Sequence, residues 1–346
     1  MVQDLATALA ASDVHVEVLT SNLGAKTGTA IESGVRVTRL RSSECAHTAL
    51  LWALLPWLLK HASRNTILHL HVGQAYTPEV VWLASRIKGF QYVLQMHIDP
   101  VRSGKAGMLL PFYRKVVLRR AVMAASAVLV LNDEHRVSVE SEYGRRNHVL
   151  VVSNGMNDEY FAVERRSGLG EDGVKRLLFV GRLSPQKNLH ALLEAVVSLK
   201  NDVQLHVVGD GECRTDLEKF VEEHALSNVV IHGTAERREI LRYYAECDAL
   251  VLPSLYEAQP LVLLEAMAAR LPVIATNVRG IREIGSGIVF LVEPNAHALR
   301  DGIWQFIESS DEELRTRVEA GYKKANAHRW SNVVGDFIEV YGTLDE

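Results

Sequence analysis

Short aliphatic and β-branched runs, separated by stretches with helical periodicity, recur along the whole chain. The first series is Val14–Thr20, Val35–Leu40, Thr66–His71, Gln91–Met96, Ala127–Leu131 and Val149–Val152. The second is Arg176–Val180, Gln204–Val208, Val229–His232, Ala249–Leu252, Pro272–Ala275 and Ile288–Val292. Such alternation predicts parallel sheet with helices on both faces. A chain of 346 residues exceeds what one hydrophobic core organises, so the two series predict two doubly wound α/β domains. Between them, Glu159–Gly173 carries Arg165, Arg166 and several acidic or glycine positions without an apolar period, which reads as the linker. The expected domains are 1–157 and 158–328, with 329–346 a C-terminal helix packing back toward the first. Gly168, Gly170 and Gly173 formally satisfy G-x-G-x-x-G. They precede a strand instead of joining a strand to a helix, so the dinucleotide reading is discarded.

Ligands of open α/β sheets bind at the carboxyl ends of the strands, and the residues there are polar or glycine. In the first half they include His71, Gly73, His97, Asp99, Asn132 and Asp133. In the second they include Gly181, Arg182, Gly209, Asp210, Gly233, Thr234, Ser254, Glu257, Thr276 and Asn277. Turn formation explains the glycines and asparagines but not the charged members.

Composition narrows the function. A formal net charge of -4 argues against general nucleic-acid binding, which requires a phosphate-neutralising surface. Cys45, Cys213 and Cys247 stand far apart with no CxxC pair, which suggests neither a disulfide framework nor a zinc site. The start, Met1–Ala11, lacks the pattern of a secretory signal, and no run is apolar enough to span a bilayer. The expected location is cytoplasmic, or peripheral at the inner face of the membrane. Residues 49–60, ALLWALLPWLLK, read either as a buried helix covering a sheet or as a bilayer-touching surface anchored by Trp52 and Trp57.

The segment from Val251 to Thr276, VLPSLYEAQPLVLLEAMAARLPVIAT, runs strand, loop, helix, strand. Pro260 suits the first helical turn. The helix predicted over Leu261–Ala269 is apolar apart from Glu265, and a lone carboxylate there needs something to bind it. Its start offers free backbone N–H groups to an anion. Glu257 falls just ahead of it, so the two carboxylates can face one crevice and grip sugar hydroxyls. Each has a plainer reading: Glu257 as a helix cap, Glu265 as an arginine's partner. A second cluster, FVGRLSPQKN over Phe179–Asn188, places Arg182 and Lys187 around a loop stiffened by Pro185. A planar fork and a point charge together suit a diphosphate, whereas surface cations on a solvated loop are the commoner arrangement for either alone.

FVGRLSPQKN, VVGDGE, PSLYEAQPLVLLEAMA and SNGMNDEYF, in this order and spacing, resemble glycosyltransferase family four, the glycosyl transferases group 1, which are retaining enzymes of GT-B fold. The resemblance runs from Val2 to Tyr341 and rests above all on the E-x7-E pair Glu257 and Glu265 following the G-R-x5-K element. It implies two Rossmann-like domains facing a central cleft, and transfer of a sugar from a nucleotide diphosphate donor to an acceptor hydroxyl on a glycan, lipid-linked or polysaccharide acceptor. Neither a metal nor a cofactor is implied. Arg182 and Lys187 would hold the diphosphate, Glu265 the ribose, and Glu257 with the backbone of Ala258, Gln259, Pro260 and Leu261 the sugar and phosphate. Gly209, His232, Gly233 and Thr234 would lie beside the base, His97 would meet the sugar, and Asn154 falls in the matching SNGMNDEYF segment. In the mechanism proposed for the family, the departing phosphate oxygen takes the acceptor proton on the same face, so configuration is retained.

The chain departs from that pattern in two ways. Helix follows Met1 at once, so the usual first strand and glycine-rich loop are missing, which reads as a fragment or as a rearranged first domain. Ala258, Arg270 and Arg279 replace common glycines. The first departure motivates an alternative: a sugar-nucleotide-binding or scaffold subunit without catalysis.

Overall fold

A computed structural model describes residues 1–45, 48–72, 76–97, 113–144, 148–165 and 173–345. Gly73, Asp99, Arg166, Gly168 and Gly170, singled out above, lie outside them. The chain divides into two compact units, one formed by Met1–Gly155 with Trp330–Glu346, the other by Met156–Arg329. The crossing at Gly155–Met156 lies ahead of the stretch read as a linker. The short helix Asp158–Phe161, which overlaps the first residues of that stretch, belongs to the second unit, where Met156 and Tyr160 are buried in the core.

In the first unit a helix, Val2–Ala11, precedes β1 (Glu17–Ser21), β2 (Gly28–Glu32) and β3 (Val35–Leu40), which form a sheet ordered β1-β3-β2. β1 runs parallel to β3, and β2 antiparallel to it. β4 (Ser43–Cys45) and β5 (Thr48–Leu50) make a small antiparallel pair. The apolar stretch beginning at Ala49 therefore opens in a strand, and its helix is confined to Leu54–His61. β6 (Ile67–Val72), β7 (Gln91–Met96), β8 (Ala127–Val130) and β9 (Val149–Val151) form a parallel sheet in sequential order. Parallel strands thus fall into two separate sheets. One face of the four-stranded sheet packs Leu94, Met96, Val128 and Val130 with Leu58, Val81 and Val122. On the other face Val93, Ala127 and Leu129 meet Leu5, Leu9 and the C-terminal helix Trp330–Asp345 through Trp330, Val333 and Phe337.

The second unit is a single six-stranded parallel sheet: β10 (Lys175–Val180), β11 (Val203–Val208), β12 (Val229–Gly233), β13 (Ala249–Leu252), β14 (Val273–Thr276) and β15 (Phe290–Val292), ordered β12-β11-β10-β13-β14-β15. Helices cover both faces. Leu177, Phe179 and Leu205 pack with Leu192, Leu299 and Ile303 on one side, and Leu178, Leu250 and Leu252 with Leu264 and Met267 on the other. Burial on both faces explains the continuous apolar runs. Strand order reverses between β10 and β13, so the loops that leave their carboxyl ends diverge to opposite sides of the sheet and leave a crevice. Those loops carry FVGRLSPQKN and PSLYEAQP.

Candidate functional site at the switch point of the second unit

The two loops are tied together before any ligand is considered. Asn188 adopts a left-handed backbone, φ 52°, and its side-chain amide donates to the carbonyls of Pro253 and Pro294 at 3.2 and 3.3 Å. The Gln186 side chain donates to the Tyr256 carbonyl, and the Leu255 N–H to the Gln186 carbonyl, both at 2.8 Å. Within this frame the ammonium of Lys187 lies 2.5 Å from Oε1 of Glu257, with 16% and 9% of the two side chains exposed. The same oxygen accepts from the hydroxyl of Ser254 at 2.7 Å, and the Ser254 carbonyl accepts from Thr276 at 2.5 Å. Glu257 is therefore an enclosed partner of Lys187, not a helix cap.

Gly280 and Gly209 let backbones approach where a side chain could not stand. A Cβ at Gly280 would lie 2.3 Å from the Ala258 carbonyl oxygen and 2.4 Å from that of Glu257; at Gly209, with φ 143°, it would lie 1.8 Å from the Gly181 oxygen. The Glu257 loop and the β10 and β11 ends are thereby seated on neighbouring main chain.

Arg182 stands differently. It is 67% exposed and pairs with Glu212 at 3.1 Å, a solvated contact of little energetic weight. The structure thus joins Lys187 to Glu257 and leaves Arg182 on an outer partner.

The helix after Glu257 spans Leu261–Ala268 with Pro260 at its N-cap, one position outside the first turn where the sequence places it, and no side chain caps it. Ala258, Gln259 and Pro260 form the approach to that helix start. Glu265 projects from the second turn. Burial raises its carboxyl above the usual range, while hydrogen bonds from Tyr244 and Tyr160 and the charge of Arg237 act the other way. The Tyr244 hydroxyl is 2.7 Å from Oε2. Phenols donate to this carboxylate, and the charge of Arg237, which also pairs with Glu159 at 2.9 Å, acts on it as well. Spacing alone did not reveal Tyr244 or Tyr160, since each resembles an ordinary core residue, and it placed Ser254 at a strand end without showing its bond to Glu257.

At the other edge, the Gly209 N–H donates to the Gly233 carbonyl at 2.7 Å, and Gly233 has φ 80°. His232 stacks on His206, centroids 5.2 Å apart, with Nδ1 of His206 2.9 Å from its Nε2. Thr234 is exposed.

The remaining residues belong to the first unit. Asn154 is buried. His97 follows β7, with its Nε2 2.9 Å from Nδ1 of His71. His71 stacks on His69, whose Nδ1 is 2.6 Å from the Tyr341 hydroxyl. Burial is the largest cause, and it lowers the pKa to about 3 at His69, about 2 at His71 and about 4 at His97. All three rings are therefore neutral near pH 7. The alternation in ILHLHV was the visible signal for this column, because residues two apart on a strand share a face. Among the described residues, no group of three or more His, Cys, Asp or Glu is placed to hold a metal ion.

Two Rossmann-like units, one with an amide-rich helix start and a lysine–glutamate pair at its switch point, define an α/β protein of the GT-B class. A model of the glycosyl transferases group 1 family matches residues 162–324, and a model of the glycosyl transferase 4-like domain matches residues 1–155. The chain is 30% identical over 310 residues to an alpha-D-kanosaminyltransferase of Streptomyces kanamyceticus, covering 82% of this chain and 79% of that protein. It is 31% identical over 205 residues to an uncharacterized glycosyltransferase of Methanocaldococcus jannaschii, spanning 58% of this chain and 55% of that protein's length. Among solved structures, sucrose-phosphate synthase from Thermosynechococcus elongatus superimposes with a TM-score of 0.83 at 22% identity, over 99% of this chain and 92% of that one. Anabaena HepE in complex with UDP and glucose gives 0.72 at 20% identity, over 90% and 87%. The chain belongs to the glycosyl transferases group 1 family.

Proposed function

We propose that the chain is a retaining glycosyltransferase that moves a sugar from a nucleotide diphosphate donor to a hydroxyl of a glycan, lipid-linked or polysaccharide acceptor. The observation that carries this reading is the enclosed Lys187–Glu257 pair beside the uncapped start of the Leu261–Ala268 helix. A pyrophosphate suits that place: Lys187 supplies a point charge and the helix start supplies oriented amides. Glu257 then accepts from donor-sugar hydroxyls and Glu265 from the ribose diol. Arg182 exchanges Glu212 for phosphate, and the base lies against Gly209 and the His232–Thr234 strand end. His97 is the residue of the first unit assigned to the sugar, and with its Nε2 engaged by Nδ1 of His71 at 2.9 Å it offers Nδ1 as its one further hydrogen-bonding atom. As the bond to the leaving phosphate breaks, its charge grows, and preorganised donors stabilise that growth. The departing oxygen takes the acceptor proton, so configuration is retained without a protein nucleophile.

Cytoplasmic placement with a peripheral membrane contact belongs to the same reading. Among the described residues no helix is long and apolar enough to cross a membrane. Trp52 is 55% exposed, whereas Trp57 packs against the core. The divided parallel sheets of the first unit favour a second reading, a sugar-nucleotide-binding subunit without catalysis.

Consumption of UDP-, GDP- and ADP-sugars followed by mass spectrometry, with calorimetry of the matching diphosphates, separates the two. The transferase reading expects turnover that collapses in Lys187→Ala and Glu265→Ala with the fold retained. Unchanged turnover in both variants removes the site assignment, and binding without turnover across candidate acceptors supports the second reading.

A further inference from the structure

Glu265 presents a problem in electrostatics. Its helix buries Leu263, Leu264, Ala266 and Met267 almost completely, and the carboxylate shares that apolar setting. A carboxylate stripped of water takes up a proton unless donors replace its hydration. A protonated Glu265 would offer a sugar diol fewer acceptor sites. Two tyrosines from different elements meet the demand. Tyr244, on the helix Arg237–Glu246, is fully buried and directs its hydroxyl to Oε2. Tyr160, on the short Asp158–Phe161 helix just after the chain crosses into this unit, hydrogen-bonds to the same carboxylate. Their rings meet edge to face at 6.1 Å, so each limits the other's rotation.

We infer that Tyr244 and Tyr160 are positioning residues for Glu265: their phenols hold its buried carboxylate in one orientation, leaving the outward lone pairs to accept from a nucleotide ribose. This rests on the reading of Glu265 as the ribose-binding residue. A carboxylate has about four acceptor sites. Two phenols use two of them, and a vicinal diol supplies donors for the other two. Phenols suit the task better than a guanidinium would, because a fork-to-fork arginine occupies both oxygens at once. They also remain donors across the working range, since burial and the neighbouring carboxylate push both hydroxyls well above the usual tyrosine value. The charged and titratable groups of the second unit that act on Glu265 are Tyr244 and Arg237 from one helix and Tyr160 from the other, with Glu159 acting on Tyr160.

The pH dependence follows with a definite sign. Removing a phenol takes away an influence that lowers the Glu265 pKa, so the carboxyl titrates at higher pH. Nucleotide binding is then lost as pH falls and regained as it rises.

Calorimetry on the full chain between pH 5.5 and 8.5, with whichever of UDP, GDP or ADP binds best, tests the inference on wild type, Tyr244→Phe, Tyr160→Phe and Glu265→Gln. The wild-type profile is the reference against which each variant is read. Each phenylalanine variant should lose about tenfold at the acid end, roughly one charge-assisted hydrogen bond, and recover most of it at the alkaline end. The matching 2′-deoxynucleotide adds a second readout: its disadvantage should shrink in the phenylalanine variants, a change that a purely structural tyrosine would not produce. Wild-type affinity and an unchanged pH profile in both variants, with Glu265→Gln weakened, overturn the positioning role while sparing the ribose assignment. Wild-type binding by Glu265→Gln overturns the ribose assignment itself. Should Tyr244→Phe fail to fold, Tyr160→Phe, whose ring is less deeply enclosed, carries the same comparison.

Discussion

Replacing either member of the Lys187–Glu257 pair should move nucleotide affinity in opposite directions. The two side chains are 16% and 9% exposed and 2.5 Å apart, so this is an enclosed charge-assisted contact, of the kind that contributes about 1.5–3 kcal/mol. In Glu257→Gln, Lys187 keeps only a neutral carbonyl oxygen as partner, and the second unit should lose about 2 kcal/mol of stability. A bound diphosphate would restore a full negative charge beside Lys187, so part of that loss returns on binding. Returning about 1.4 kcal/mol corresponds to a tenfold lower Kd. In Lys187→Met the sign reverses. Glu257 keeps only Ser254, the unit is destabilised by roughly 3 kcal/mol as an enclosed charge is left unpaired, and the diphosphate loses its cation. Affinity should then fall by about tenfold or more. Urea unfolding at 25 °C with and without nucleotide gives the stabilities, and calorimetry gives the affinities. Donor turnover should fall in both variants. The reasoning is refuted if both substitutions weaken diphosphate binding alike, or if neither changes it, because the pair would then be a fold contact with no phosphate beside Lys187.

Gly280→Ala should displace the Glu257 loop, since its new methyl would stand 2.4 Å or less from two carbonyl oxygens. Turnover should fall on the order of 100-fold, as for a misplacement of about 1 Å, while Gly342→Ala, which meets nothing within 4 Å, should be neutral in the same assay. Arg270 holds φ 56° at a helix end, with its guanidinium 3.7 Å over the Tyr322 ring. Arg270→Gly should be nearly neutral, strain relief of about 1 kcal/mol offsetting the lost stacking, whereas Arg270→Ala keeps the strain and should lose about 1 kcal/mol; thermal melts that rank Gly below Ala contradict this. The histidine column should make the first unit acid-labile. Folded values lowered to about 3, 2 and 4 lie below the unfolded value near 6.5, so the unfolded chain takes up protons that the folded one refuses. Stability therefore drops as pH falls from about 6.5 toward those values, by up to about 1.4 kcal/mol per unit for each ring. His71→Phe should give a shallower decline in urea midpoint between pH 7 and 5, and identical slopes would count against the column.

The strands of the second unit were legible because a sheet covered on both faces must be continuously apolar, as Leu177, Leu178 and Phe179 are. β2 was not legible: Gly28–Glu32 is exposed almost throughout, so no burial pattern marks it. β5 (Thr48–Leu50) overlaps the start of an apolar stretch that reads as helix, and β4 (Ser43–Cys45) is a run of three residues with no apolar alternation to mark it. Residue types at the site were readable from local spacing, but their partners were not. Lys187 and Glu257 are 70 residues apart in sequence, and strand order alone brings them together. Tyr244 reaches Glu265 across 21 residues and looks like a core aromatic until its hydroxyl is located. The expectation that Arg182 and Lys187 act as one pair met a structure in which exposure divides them, since spacing fixes which strand end a residue leaves but not how far its side chain stands out.

In the structure, each ionisable group assigned to the donor already has a protein partner, and the partners differ in how easily a ligand can replace them. Arg182 shares Glu212 with solvent, so exchange there costs little and is screened by salt. Lys187 shares Glu257 in an enclosed place, where a diphosphate must compete with a carboxylate for the same ammonium. Glu265 has no such competition, because phenols occupy only part of its acceptor capacity. On the donor assignment proposed above, recognition is graded: the ribose end is prepared in advance, the inner phosphate contact requires a change of partner, and the outer cation exchanges its partner at small cost. On that reading the strongest dependence on the ligand falls at Lys187, where interactions that strengthen only as charge develops on the leaving phosphate would accelerate the chemical step instead of merely tightening the ground state.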